Sequence, residues 1–275
     1  MIWLYQIYDN IMTMLKDQRQ QHIAQLIQGS SNVEIIDMAN QFGTSVITIR
    51  RDLQELCQRG IIKRNRPEFQ YFSSLDDIPI YKRNFVEREA KSRIATVAAK
   101  LIGKSQSIFL SGGSTIFYLA RQLVDRRDLT IVTNALNIGL ELSKGPELTV
   151  VVIGGVLRKS ELSLIGHIAD NSLKEILVDK VFLGMAGISL ENGLTNDYLP
   201  EIGTDRVILN LNSEVIILAD HTKIGKTLSA FVAPLERIST LITDEKADKD
   251  IIAGIKDRGV NVIIAETFLS TQAAL

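Results

Sequence analysis

Seven short runs rich in Val, Ile and Leu, separated by stretches with helical spacing, constrain this chain more than any other feature. They are Ser107–Leu110, Leu129–Thr133, Leu148–Ile153, Lys180–Leu183, Glu214–Ala219, Thr240–Thr243 and Asn261–Ala265. A strand with one wet face alternates apolar and polar residues, whereas a near-continuous apolar run is buried on both faces. Such strands, separated by helices, predict a parallel sheet with helices on either side. The expectation is a Rossmann-like α/β domain over residues 91–275.

Residues 18–73 have another rhythm. Ile23, Leu26 and Ile27 have helical spacing, and Gly29 ends that segment. Ile35, Met38, Ala39 and Phe42 repeat the pattern, with Gly43 at the turn. Ser45 is placed to cap a third helix that runs through Cys57 to Gly60. Two strand-like runs, Ile61–Arg64 and Phe69–Phe72, flank a turn at Pro67. Residues 74–90 carry little apolar mass and read as a linker. The extension 1–17 is apolar-rich, but Gln6, Asp9 and Asn10 interrupt it and no basic residue precedes it. It matches neither a signal peptide nor a spanning helix. An added amphipathic helix and an upstream start-codon artefact both fit it.

The third helix has two unlike faces. Ile49, Leu53 and Leu56 fall together and are expected to be buried. At about 100° per residue, Ile47, Thr48, Arg51 and Gln54 lie on or near the opposite face, with Arg50 at its flank. An exposed Ile47 beside Thr48 and two arginines suits a DNA major groove. There Arg reads guanine edges or phosphates, and an apolar tip meets a thymine methyl. Arg59, Lys63, Arg64 and Arg66 continue the basic excess into the hairpin, against only Asp52 and Glu55 in the same segment. A winged helix-turn-helix accounts for both features, with Ser45, Ile47, Thr48, Arg50, Arg51, Gln54, Lys63 and Arg64 as its DNA contacts. The chain as a whole has 31 basic and 32 acidic residues, a net charge of −1. That balance excludes indiscriminate coating of nucleic acid or anionic membrane, not a compact basic site. The single cysteine, Cys57, excludes a disulfide scaffold, is compatible with a reducing cytoplasm and is expected on the core side of the helix.

A second constellation lies in the α/β part. Ile108-Phe109-Leu110-Ser111-Gly112-Gly113-Ser114-Thr115 runs from a buried strand into a helix. Glycines permit close backbone approach, first-turn amides point outward, and Ser114 and Thr115 add hydroxyls, a geometry suited to phosphate. Taken alone, such a loop is equally an ordinary strand-to-helix turn. Thr133-Asn134, Gly154-Gly155 followed by Arg158, and Asp220-His221-Thr222-Lys223 also stand at strand ends, where ligands of open parallel sheets bind. Lys223 can neutralise a phosphate or pair with Asp220.

Residues 19–64 resemble the winged helix-turn-helix of DeoR-type bacterial transcriptional regulators. The matching features are the Phe42 turn, Ser45, the Thr48–Leu53 run, Leu56, Gly60 and Arg64. Residues 89–268 resemble the DeoR C-terminal domain, on Glu89, Lys91, the Ser111–Thr115 loop, Thr133-Asn134, Gly154-Gly155, Arg158, Ser163, Gly166, Asp179-Lys180, Gly193-Leu194-Thr195, Asp220, Lys223 and Thr243-Asp244. That domain is similar in fold to ribose-5-phosphate isomerase. The resemblance implies a phosphorylated sugar as effector and repression as the sign of control. Two departures stand out: Asn65-Arg66-Pro67-Glu68 replaces a Gly-Gly-Ala-like wing tip, and Ser111 and Ser114 replace Asp and Thr. Loss of the Asp carboxylate implies an effector unlike the common ones, or weaker binding. Sugar-specific contacts are expected from residues 196–201.

The expected partners are double-stranded operator DNA, a phosphorylated sugar and further copies of the chain, as dimer or tetramer, with no membrane. A sugar-phosphate isomerase carrying a DNA-binding module is the alternative. Isomerisation needs a carboxylate base, and Gly184-Met185-Ala186-Gly187-Ile188, after the central strand, offers none. No catalytic residue, cofactor or metal site is expected: His22, His167 and His221 lack ligand spacing, and Gly225-Lys226-Thr227 lacks the glycine-rich loop of a P-loop.

Overall fold

The computed structural model describes residues 16, 18–24, 26–27, 34–58, 62–65, 68–71, 79–211 and 214–267. Residues 1–15, Gly29, Gly60, Pro67 and the expected linker residues 74–78 lie outside the described residues. The chain divides into two compact units, residues 1–85 and 86–275.

In the first unit, α1 is helical at residues 18–24 and 26–27, followed by α2 (Ile35–Gln41) and α3 (Val46–Gln58). The strands β1 (Ile62–Asn65) and β2 (Glu68–Tyr71) form an antiparallel hairpin, and a short helix α4 (Ile80–Arg83) follows. The helices form because their apolar residues converge: Ile23, Ile27, Met38, Ile49, Leu53, Leu56 and Ile62 build one core. Gly43 turns the chain between α2 and α3 at φ +57°, a conformation that favours glycine. Within the stretch read as linker, Ile80 of α4 is buried.

The second unit contains α5 (Arg88–Lys100), β3 (Ser107–Leu110), α6 (Ser114–Leu123), β4 (Thr130–Thr133), α7 (Leu136–Leu142), β5 (Thr149–Val152), β6 (Val156–Arg158), β7 (Ser163–Ile165) and α8 (His167–Lys174). It continues with β8 (Lys180–Gly184), β9 (Gly187–Ser189), β10 (Gly193–Asn196), α9 (Leu199–Leu209), β11 (Val215–Leu218), β12 (Ala230–Ala233), β13 (Thr240–Asp244), α10 (Lys249–Asp257) and β14 (Asn261–Ala265). All seven runs read from the sequence are strands of one parallel sheet, ordered β14-β13-β11-β8-β3-β4-β5. One apolar cluster draws on α5, α6 and α7, and a second on α8, α9, α10 and the small strands. The strand order reverses between β3 and β8, so the chain leaves β3 toward β4 on one side and returns to β8 on the other.

The expected strict strand–helix alternation needs correction. The connection from β11 to β13 holds two 3-10 turns and β12 in place of an α-helix. A hairpin β6-β7 and a three-stranded antiparallel sheet β12-β10-β9 are inserted between the major strands. Gly-Ile-Ser of β9 and Gly-Leu-Thr-Asn of β10 are too short and too poor in branched residues to announce themselves as strands. Among the described residues no helix is long and apolar enough to cross a membrane.

Candidate functional site: DNA-reading helix and anion pocket

The N-terminus of α3 is held by Ser45, whose Oγ accepts from Thr48 N at 3.1 Å and lies 2.9 Å from Thr48 Oγ1. Ile49, Leu53 and Leu56 are buried, whereas Arg50, Arg51 and Gln54 are exposed and Ile47 is 77% exposed. Asp52 and Glu55, the acids on this helix, do not dilute the outer face. Asp52 is buried and accepts from Arg19 Nε at 2.6 Å and Gln20 Nε2 at 3.0 Å. Glu55 meets Lys16 Nζ at 2.7 Å, and chiefly through that lysine its carboxyl is held below the ordinary value. Arg51 Nε reaches Glu55 at only 3.9 Å, with its side chain 81% exposed. Helix α1 therefore neutralises the acids, and the opposite face carries an exposed isoleucine, two arginines and a glutamine. Lys63 and Arg64 stand on β1 opposite Gln70 and Phe69; their side chains lie outside the described residues. Cys57 is half-buried against the core as a free thiol.

In the second unit the glycine-rich loop leaves β3 at the reversal of strand order, beside β8. Crevices at such points receive ligands in open parallel sheets. Gly113 stands at the N-cap of α6 with φ +129° and no side-chain cap. No side chain caps the first-turn amides, and Ser114 and Thr115 are the first two residues of the helix. The exits of β3 and β8 pack closely: a Cβ on Gly184 would lie 3.3 Å from Gly112 O. Ser111 serves that junction. Its Oγ donates to Gly112 O at 2.9 Å and accepts from Gly184 N at 3.1 Å.

The other strand-end residues divide by what they touch. Thr133 Oγ1 accepts from Ala135 N at 3.1 Å, and Asn134 Nδ2 donates to Leu164 O at 3.3 Å. A Cβ on Gly155 would meet Ile165 N at 2.9 Å, so that glycine seats the chain against β7, whereas a Cβ on Gly154 would make only an ordinary contact with Ile168 Cγ2 at 3.5 Å. Asp220 pairs with buried Lys91 at 3.8 Å and accepts from Thr222 N at 3.0 Å, capping the 3-10 turn that carries Lys223. His221 Nδ1 lies 2.9 Å from Asp244 Oδ2. His22 stacks on Phe42 with ring centroids 6.5 Å apart. Among the described residues no three side chains converge as a metal site.

Arg158 is clamped. Its Nη1 donates to Glu201, and its guanidinium lies 4.2 Å from the Tyr198 ring centroid. Ser163 Oγ donates to the other oxygen of Glu201 at 2.8 Å. One turn along α9, Asp205 accepts from Asn196 Nδ2 at 3.0 Å. Burial, and then the charge of Glu201, pushes the Asp205 carboxyl up to about 8.

A model of the DeoR C terminal sensor domain matches residues 86–245, and a DeoR-like helix-turn-helix model matches residues 19–69. The chain belongs to the DeoR family. It is 31% identical over 259 residues to the HTH-type transcriptional regulator GolR of Listeria innocua, spanning 92% of this chain and 100% of that one. With the transcriptional repressor AccR of Agrobacterium fabrum it shares 31% identity over 82% of this chain and 88% of that one. With the glycerol-3-phosphate regulon repressor of Escherichia coli it shares 26% identity over 90% and 99% respectively. Among solved structures it is similar to a ribose 5-phosphate isomerase of Methanocaldococcus jannaschii, with 18% identity, 52% of this chain and 55% of that one covered, and a TM-score of 0.38. The DeoR family is one of transcriptional regulators and not of enzymes, and this chain is such a regulator, with a helix-turn-helix domain and a C-terminal sensor domain.

Within this DeoR-family chain, sequence reasoning placed Tyr198 and Glu201 in the stretch 196–201 expected to give sugar-specific contacts, but it gave Asp205 no role and did not pair Lys91 with Asp220. One signal was available. On α9 the buried set Glu201, Ile202, Asp205, Ile208 and Leu209 follows helical spacing, so two carboxylates occupy positions where a core helix carries apolar residues.

Proposed function

We propose that the chain is an operator-binding repressor of a carbohydrate-metabolism operon whose DNA affinity is lowered by a phosphorylated sugar. The observation that carries the sensing half is the uncapped N-terminus of α6, opening beside the buried hydroxyls of Ser114 and Thr115 at the reversal of strand order. The exposed Ile47, Arg50, Arg51 and Gln54 support operator reading, with Lys63 and Arg64 as wing contacts. One relative is named for a glycerol-3-phosphate regulon, and that name supports a phosphorylated ligand here. The regulator works in the cytoplasm, where its operator lies.

One helix reads only a few base pairs, so reading requires a homo-oligomer. The surface that supports one is the β5 edge. Val151 and Val152 are exposed on β5, the last strand of the sheet, and its four residues include none of the charges that usually blunt an edge strand. The ligand favours a subunit arrangement whose reading helices no longer match the half-site spacing, and DNA weakens ligand binding by the same factor. Titration of operator binding at fixed salt, with and without a panel of sugar phosphates, tests this. Binding of a sugar phosphate that leaves operator affinity unchanged overturns the mechanism.

A further inference from the structure

The second unit begins with a backbone conformation that its sequence does not favour. Glu87 stands at the N-cap of α5 with φ +48° and ψ +41°, in the left-handed region, and its side chain makes no capping bond. That region crowds the Cβ of any residue but glycine, and the side chains that cap helices are those of Ser, Thr, Asp and Asn. Residues 86–100 contain neither glycine nor proline, so nothing local requires α5 to begin at Arg88 and no earlier.

Tertiary contacts supply the reason. Buried Lys91 reaches back over the first turn: its Nζ donates to Val86 O at 2.5 Å and lies 3.8 Å from Asp220 Oδ2. In a helix continued through Glu87, Val86 O would accept from Ala90 N, four residues on. The lysine occupies the acceptor that continuation needs. On the other side, Lys246 Nζ lies 3.6 Å from Glu87 Oε2, and Lys246 N lies 3.4 Å from Asp244 Oδ2. The same two acids hold the 3-10 turn His221–Lys223: Asp220 accepts from Thr222 N at 3.0 Å and Asp244 from His221 N at 2.7 Å. Helices α5 and α6 pack in one apolar cluster, so Lys91 and the anion loop at the start of α6 share a face of the sheet.

We infer that Glu87 is a hinge through which the anion pocket acts on the DNA-reading helix. An anion at Ser114 and Thr115 competes with Asp220 and Val86 O for the charge of Lys91. Val86 O then passes to Ala90 N, Glu87 relaxes to the right-handed region, and α5 lengthens at its N-terminus. The two states thus differ in one named bond, and a ligand shifts the balance by favouring one of them. Residues 1–85 join the second unit at Val86, so a change of dihedral at Glu87 redirects the chain that carries α3. The hinge takes its input from the phosphate-sensing reading above and rests on it for that step.

Two substitutions at one position separate a hinge from a structural ion pair. Glu87→Gly and Glu87→Ala both remove the contact with Lys246, but glycine accepts the left-handed region freely and alanine favours helix. The full chain is assayed on a duplex that the wild-type protein selects from a random pool, and hydrogen exchange is followed at the amides of Arg88, Glu89 and Ala90. Glu87→Ala is expected to bind that duplex about fivefold or more weakly than Glu87→Gly, with slower exchange at those amides. A cooperative melting transition shows that each variant is folded. Inorganic phosphate, glucose 6-phosphate and glycerol 3-phosphate are then titrated by calorimetry. A probe that binds the wild-type chain is expected to slow the same amides and weaken duplex binding, and to do both less in Glu87→Gly. Equal behaviour of the two variants overturns the hinge, whichever probe binds. A probe that binds and leaves those amides unchanged overturns the coupling while phosphate sensing stands. If no probe binds, the phosphate-sensing reading fails and the coupling with it, and the two variants still decide whether Glu87 is a hinge.

Discussion

Helices α3 and α9 both turn carboxylates toward the interior, yet they do different things with them. On α3, Asp52 meets Arg19 and Gln20 from α1, and Glu55 meets Lys16, so each acid is balanced by a donor from the neighbouring helix. On α9, Asp205 meets an amide, Asn196, and two further carboxylates, with Arg158 already engaged by Glu201. The first arrangement is a latch that orients a helix and frees its outer face for recognition. The second leaves Asp205 with its proton, because burial and then the charge of Glu201 push its carboxyl up to about 8. Buried acid by itself therefore says little; the partner opposite it decides what the acid does.

The sharpest way to break this comparison is Asp52→Ala. Removing the acid takes the acceptor from Arg19 Nε and one of the two acceptors from Gln20 Nε2, and is expected to cost about 3 kcal/mol of stability, read by urea unfolding. A loss too small to resolve would deny the latch. Next is Arg51→Ala, which touches no core. It is expected to spare stability and weaken specific DNA binding by about 1–3 kcal/mol if Arg51 reads a base edge. Equal losses on specific and random DNA would assign it to phosphate. Thr115→Ala removes one hydroxyl at the anion loop. A ligand affinity lower by about 1.5 kcal/mol, with operator binding intact, is expected from titrations; an unchanged ligand response moves the phosphate site elsewhere.

The smallest effect bears on α9 itself. Asp205 keeps its proton in the folded chain up to about pH 8, whereas an unfolded aspartate loses it near pH 4. The unfolded state therefore binds fewer protons across that window, and stability falls as pH rises through it. Asp205→Asn is expected to flatten this slope and to raise stability at pH 8 by about 1 kcal/mol or more, read as melting temperature at pH 5 and pH 8. A slope that persists in the variant would show that another group carries it.

Much of this was legible beforehand because it is local. Each of the seven sheet strands falls within a residue or two of an apolar run. In the five inner strands burial demands that continuous stretch of branched side chains, whereas the edge strand β5 is largely exposed and the edge strand β14 partly buried, so the expected burial on both faces fails there. The inward set Ile49, Leu53 and Leu56 and the outward set Ile47, Arg50, Arg51 and Gln54 follow from helical periodicity alone. The inserted strands β9, β10 and β12 were illegible, because three or four residues are too few to show a period, and β9 and β10 also mix apolar and polar residues. The same limit applies to Ser111, whose hydroxyl joins two strand exits separated by 73 residues.

The amino-acid sequence by itself determined the element types, the parallel sheet and the two-faced reading helix, because each depends on spacing within a few turns of chain. Tertiary structure alone decided which charges remain available. Asp52 finds Arg19 across 33 residues, Arg158 finds Glu201 across 43, and Lys91 finds Asp220 from the opposite end of its domain. Ion pairs form wherever the folded backbone brings opposite charges together away from water, and no local pattern records that meeting. The sequence count of two acids against a basic helix thus became, in the fold, a helix whose acids face inward and whose arginines face out.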